Sequence, residues 1–139
     1  MKVFILIYIL LFLNSCVSGS NQEMPRQTEG WVDNNTYRVM SVGFARRGMV
    51  DKVRRRFYAR ESALILAQRM VVEHFTDVSV SGSTTIKNGR VAIIIILKKF
   101  SGVITGGNII YEAYDDNDNC RMIYEVYNPG LKESVLEGI

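Results

Sequence analysis

The eleven side chains from Val3 to Leu13 are aliphatic or aromatic, the Tyr8 hydroxyl their one polar group, with Met1-Lys2 before them and Asn14-Ser15-Cys16 after. A positive start followed by an apolar run of this length fits a secretory signal, whereas a bilayer-spanning helix takes about 20 apolar residues. From Val17 to Asn35 the pattern dissolves into Ser, Gly, Asn, Gln and Glu with Pro25, the composition of a flexible tether. Trp31 is the exception in that stretch, and a lone Trp among polar residues is expected to dock on the edge of the neighbouring domain.

Period-two alternation starts at Thr36, where Met40, Val42 and Phe44 alternate with Val39, Ser41 and Gly43, and predicts a strand ending before Arg46-Arg47-Gly48. Between Met49 and Phe75 the period changes to three or four, through Val50, Val53, Phe57, Leu64, Ala67, Val71 and Phe75, which predicts the main helix. Ala59, Ala63 and Ala67 add a small-residue edge where that helix can approach a sheet closely. Asp77 to Ile86 is rich in β-branched residues, and Asn88-Gly89 is a strong hairpin signal because both central residues of such a turn take positive φ. Val91 to Leu97, apolar on both faces, is then expected to be a central strand with Ile93 and Ile95 buried. Ile109 to Tyr114 and Met122 to Tyr127 flank the polar tip Asp115-Asp116-Asn117-Asp118-Asn119 and predict a second hairpin. Pro129-Gly130 ends it, and Leu131 to Leu136 has room for one helical turn.

The expected fold class is α+β: two layers, one long helix on a mostly antiparallel sheet of about four to five strands, in the order β-α-β-β-β-β. The divisions are a signal segment over 1–15, a modified cysteine and tether over 16–35, the α+β domain over 36–128 and a tail over 129–139. A chain of 139 residues, 47% apolar and 22% charged, is sized for one ordinary core.

Its chemistry is sparse. There is one histidine, His74, no CxxC or HExxH, and no Gly-x-Ser-x-Gly, so no metal, cofactor or catalytic set is expected. Asp115 to Asn119 opens like a calcium loop but meets Cys120 where glycine belongs and Val126 where glutamate belongs, and reads as a turn. Cys120 is expected to be a small buried or half-buried thiol, and His74 a packing or capping residue.

Charge is distributed unevenly. Arg46, Arg47, Lys52, Arg54, Arg55, Arg56 and Arg60 crowd one stretch with only Asp51 among them, while the C-terminal segment is acidic through Glu112, Asp115, Asp116, Asp118, Glu125, Glu133 and Glu137. Such a run reads first as a solvated helix face, and in its functional reading the basic residues are candidates for an anionic partner such as lipid headgroups or polysaccharide. Export argues against nucleic acid. Opposite patches on one small domain also allow copies to assemble head to tail.

Leu13-Asn14-Ser15-Cys16 resembles the bacterial lipobox, with Asn14 departing from the usual small or apolar residue. The resemblance implies that Cys16 Sγ carries a diacylglycerol thioether and that the membrane is a partner through that lipid. The alternative is a secreted or periplasmic ligand-binding protein or hydrolase with an incidental Cys16; in a eukaryotic secreted protein Asn34-Asn35-Thr36 would be a glycosylation acceptor. Together with Trp31-Val32-Asp33, the strand Tyr37 to Gly43, the alanine-edged helix and the apolar segment after Asn88-Gly89, the lipobox makes residues 31 to 99 resemble the LPP-twenty family of bacterial envelope lipoproteins. That resemblance implies an outer-membrane lipid anchor, no enzymatic activity, and a structural or interaction role with envelope or flagellar proteins or with further copies of the chain.

Overall fold

The computed structural model describes residues 23–81 and 89–137, with side-chain surroundings for 23–77 and 97–137. The apolar leader, Cys16 and the start of the tether lie outside these residues, as do 82–88; of the stretch from Asp77 to Ile86 expected to begin the hairpin, the part to Ser81 continues the main helix instead.

Seven elements succeed one another: β1 (Gly30–Trp31), β2 (Thr36–Gly43), α1 (Lys52–Ser81), α2 (Gly89–Thr105), β3 (Asn108–Tyr114), β4 (Cys120–Tyr127) and α3 (Leu131–Leu136). The strands form one antiparallel sheet in the spatial order β1-β2-β4-β3. The fold is α+β, with the long helix α1 lying on β2 and β4.

Alternation decides which side of β2 faces that helix. Tyr37, Val39, Ser41 and Gly43 turn inward and are buried, while Arg38, Met40 and Val42 are half-buried on the far face. These inward side chains shrink along the strand. On α1 the fully buried stripe Ala59, Ala63, Ala67, Val71, Phe75 grows from small to large, and its small end lies over the small end of β2. Ser41 Oγ donates to the Ala63 carbonyl at 2.8 Å, and a Cβ placed on Gly43 would stand 1.9 Å from the Ala59 oxygen. Helix and strand therefore touch backbone to backbone at one end. At the other end they diverge, and the wedge fills with aromatic rings: Tyr37 and Phe75 at 5.6 Å, Trp31 stacked on Phe75 at 6.0 Å, Phe100 edge-on to Phe75 at 5.5 Å. Ile104 of α2 and Leu131 and Val135 of α3 complete this cluster.

Two boundaries move outward. Trp31 docks as expected, but it does so as part of β1, and α3 buries Leu131 and Val135 in the main core, so the folded unit reaches past 36 and 128 on both sides. Asn35 ties the ends together: its Oδ1 accepts from Gly130 N at 2.8 Å, and its backbone oxygen accepts from Asn128 N at 3.0 Å.

The expected central strand from Val91 to Leu97 is a correction, because those residues belong to α2. An apolar run without polar alternation has no period of its own, so it suits a buried strand and a buried helix equally. Residues 97–104 break the tie. Phe100 and Ile104, four apart, are both buried, while Leu97, Lys98 and Lys99 are exposed. Gly89 opens a helix of 17 residues instead of closing a two-residue turn. The surroundings of Ile93 and Ile95 lie outside those described.

Candidate anion-binding end of the molecule

Gly43, Cys120 and Tyr114 are register partners across β2, β4 and β3. The connection from β2 to α1 therefore lies beside the β3–β4 turn, and both stand at the end where helix and sheet meet closely. Asp51 starts the helix, its Oδ1 accepting from Val53 N at 2.9 Å and Arg54 N at 3.4 Å, a side-chain cap that serves the free amides of the first turn.

The turn is built from its own carboxylates. Asp115 Oδ1 accepts from the backbone amides of Asn117 at 2.9 Å and Asn119 at 3.0 Å, and its Oδ2 accepts from Asn119 Nδ2 at 2.9 Å. Asn119 Oδ1 in turn accepts from Ala45 N at 2.9 Å, which fixes the turn to the connection leaving β2. The hydrogen bond from Asn119 holds the Asp115 carboxyl below the usual carboxylate range. These bonds use the Asp115 and Asn119 oxygens that the calcium-like spacing would have offered to an ion.

Asp118 takes a left-handed φ of 63°, which short polar side chains tolerate best after glycine, and that conformation sends its buried carboxylate under α1. Arg56 Nε donates to it at 2.8 Å, and Arg55 Nη2 donates to its other oxygen. The hydrogen bond from Arg56, followed by the charges of Arg55 and Arg56, keeps the Asp118 carboxyl below its ordinary range. Further along the helix Arg60 Nε donates to Glu112 at 2.9 Å, and Tyr114 donates its hydroxyl proton to the same carboxylate at 2.7 Å. Burial pushes the Tyr114 phenol up, as does the bond to Glu112.

The basic run is thus not the uniformly unopposed patch that the sequence suggests. Arg55, Arg56 and Arg60 are paired with Asp118 and Glu112, residues more than fifty positions away that proximity along the chain could not reveal. Arg54 leans toward its own cap, Asp51, at 3.6 Å. Arg46, Arg47 and Lys52 are exposed and make no ion pair among the described residues. Head-to-tail assembly by charge loses the same acids, since Asp118, Glu112 and Glu125 are all engaged within the fold, Glu125 with Arg38 at 2.7 Å.

A cavity of about 550 Å³ opens at this end. The β2–α1 connection contributes Phe44, Ala45, Arg46, Arg47 and Gly48; the helix contributes Arg55, and the turn contributes Asn117 and Asn119. Among the described residues no carboxylate lines it. Arg55 lines it while holding Asp118 through Nη2; its Nε is buried away from solvent with no hydrogen-bond partner among the described residues.

Around the cavity the surface is apolar as well as basic. Val50 is 95% exposed, Val53 77%, Phe44 71% and Phe57 57%. Val50, Val53 and Phe57 open the periodic stripe expected to face the core and are exposed, whereas its later members Ala67, Val71 and Phe75 are buried in line with Ala59 and Ala63. The two apolar ladders read in the sequence coincide from Ala67 onward, and only toward the start of the helix do they part, the alanines meeting the sheet.

The remaining candidate residues sit elsewhere. His74 is stacked on Tyr37 at 4.5 Å, inside α1 and away from its end, and burial lowers its pKa. Cys120 is fully buried, its thiol pushed up to about 11 by burial and by the neighbouring charge of Glu112. Neither lines the cavity. Among the described residues no helix is long and apolar enough to cross a membrane. Comparison with known families, with curated proteins and with solved structures finds no match to the chain.

Proposed function

We propose that the protein is a lipid-anchored, non-catalytic component of a bacterial cell envelope whose arginine-rich end rests on an anionic membrane surface. The observation that carries this reading is the mixed character of one end: four large apolar side chains project into solvent between Arg46, Arg47, Lys52 and Arg54. Apolar groups that enter the boundary between headgroups and acyl chains, alternating with cations that meet lipid phosphates, make an interfacial contact. Each Lys or Arg near such a surface contributes about 1 kcal/mol, and each apolar side chain at most about 1.5–3 kcal/mol when fully buried. That is a weak attachment by itself, and it serves as a second signal beside acylation of Cys16, for which the lipobox-like Leu13-Asn14-Ser15-Cys16 is the support.

Chain length lets the two act on one membrane. From Cys16 to Gly30 roughly 14 residues at about 3.3 Å each span up to about 45 Å, and β2, eight residues long, measures about 27 Å. Resemblance to the LPP-twenty family supports the envelope location and a scaffold role toward envelope or flagellar proteins or further copies. Of the features behind it, the strand and the alanine-edged helix are present, whereas the segment after Gly89 is helical.

Two measurements test the proposal together. Metabolic labelling with a fatty acid is expected to mark the wild-type chain and to leave Cys16→Ser unmarked. An environment-sensitive fluorophore on Val50→Cys is expected to shift to the blue when the full chain is reconstituted with phosphatidylglycerol, and a fluorophore on Tyr127→Cys, at the opposite end of β4, is expected not to move. Buried Cys120 stays silent in this assay. An unlabelled wild type removes the lipid anchor, and equal responses at both ends remove the orientation.

A further inference from the structure

We infer that the cavity between Arg46, Arg47 and Arg55 is a phosphate-ester site, and, building on the membrane reading above, that the ester it takes is the headgroup of an anionic phospholipid. Three observations converge. First, cations reach the cavity from two elements, Arg46 and Arg47 from the connection and Arg55 from the helix, and no carboxylate stands among its described walls. A planar carboxylate satisfies one guanidinium fork, whereas the tetrahedral oxygens of a phosphate point several ways and can accept from guanidinium groups on both elements.

Second, Arg55 is already positioned. Its Nη2 is fixed on Asp118, which Arg56 also holds, so the guanidinium plane is set before any ligand arrives, and its buried Nε has no partner among the described groups. That anchoring leaves Arg55 as a fixed cation in the wall of a cavity that Arg46 and Arg47 also line. Arg46 and Arg47 supply the charge that Asp118 does not offset, from a connection that Asn119 clamps through the Ala45 amide.

Third, size and lining set the class. At about 550 Å³ the cavity is in the range of small-molecule sites, roughly 300–1,000 Å³, and exceeds what one inorganic phosphate fills. Asn117 offers an amide to hydroxyl groups, and Phe44, largely exposed, offers an apolar wall. A glycerol phosphate whose acyl chains leave past Phe44 matches a lining that combines cations, amides and an exposed aromatic ring. Asp116, exposed on the neighbouring turn, is the internal competitor, yet it does not line the cavity.

The test is calorimetric titration of the full chain in neutral detergent with glycerol 3-phosphate and with dihexanoyl phosphatidylglycerol, glycerol serving as the blank. Saturable binding of both esters is expected. Arg46→Gln/Arg47→Gln should weaken it by about tenfold or more, the loss of one or two charge-assisted hydrogen bonds, and Arg69→Gln, on an exposed pair with Glu73 outside the cavity, should leave it unchanged. Equal weakening by the Arg69 and Arg46/Arg47 variants would show diffuse charge attraction and overturn the site, as would the absence of saturation with either ester. Binding of glycerol 3-phosphate by a protein whose Val50 fluorophore ignores phosphatidylglycerol vesicles keeps the phosphate site but overturns its lipid source. A Val50 response that survives in Arg46→Gln/Arg47→Gln, with no ester bound in solution, keeps the membrane contact and overturns the site.

Discussion

Gly43 is where a single missing methyl group decides the architecture. A Cβ there would stand 1.9 Å from the Ala59 oxygen and 2.4 Å from the Ala63 nitrogen, both backbone atoms of α1 that cannot rotate aside. Gly43→Ala is therefore expected to force helix and strand apart and to destabilise the fold by about 3 kcal/mol, the upper end of ordinary overpacking, readable as a lower urea midpoint. Gly48 makes a contrast, since its surroundings are open and only its φ of 81° resists a side chain. Gly48→Ala should lose only about 1 kcal/mol. Equal losses at the two positions would mean that the close approach is not real. His74 reports the opposite end of the core. Burial lowers its pKa against a smaller opposing pull from Asp77, so the folded state prefers the neutral ring stacked on Tyr37 and the unfolded chain takes up a proton first. Stability from this group is present above the unfolded value of 6.5 and is lost as pH falls below it toward the lower folded value. Melting curves between pH 7.5 and 5.5 should show Tm falling for the wild type and falling less for His74→Phe; parallel curves would remove His74 from the account.

At the scale of elements, the helix α2 separates what the sequence could show from what it could not. If 91–105 were a strand, Lys98, Phe100 and Ile104 would all share a face; in a helix Phe100 and Ile104 share one from which Lys98 is turned away. Phe100→Ala is expected to cost about 3–4 kcal/mol through the cavity left against Phe75, Ile104→Ala about 2–4 kcal/mol, and Lys98→Ala close to nothing. Proton exchange or chemical unfolding of the three variants distinguishes the two arrangements. The strand at Thr36, the alanine-edged helix, the hairpin around Asp115 to Asn119 and the turn of helix after Gly130 were legible because each carries a local signal: a period, a small-residue ladder, or a cluster of Asp and Asn. α2 was not, because Ile93 to Ile96 hides its period and Asn-Gly speaks for a hairpin turn where Gly89 opens a helix. β1 was hidden for another reason, since two residues are too few for any period. The candidate site was half legible. Its cations stand together in sequence, but the acids that neutralise Arg55, Arg56 and Arg60 arrive only when β4 folds beneath α1, and the asparagines that wall the cavity look like any turn.

For the whole molecule, long-range charge contacts join the helix layer to the sheet layer at the narrow end, where the alanine stripe offers little apolar area to hold them. Asp118 is the centre of that connection: its buried carboxylate receives Arg55 and Arg56 from the first turns of α1 while its own backbone sits in the turn between β3 and β4. Because the bond from Arg56 and the charges around it keep this carboxyl below its ordinary 3.8, the folded state binds a proton less readily than the unfolded chain. Its contribution is therefore fully present above about pH 4 and lost as pH falls through the folded value. Asp118→Asn isolates the charge, since asparagine also accepts a left-handed φ and keeps the size of the side chain while leaving Arg55 and Arg56 without a counter-ion. The variant should melt below the wild type at neutral pH, and the gap should stay constant down to about pH 4.5 and then narrow toward zero in stronger acid. Circular dichroism melts across pH 2.5 to 7 give both curves. A gap that persists unchanged at pH 2.5 would mean that asparagine disturbs the turn itself, and a variant as stable as the wild type at pH 7 would mean that the narrow end is held without its ion pairs.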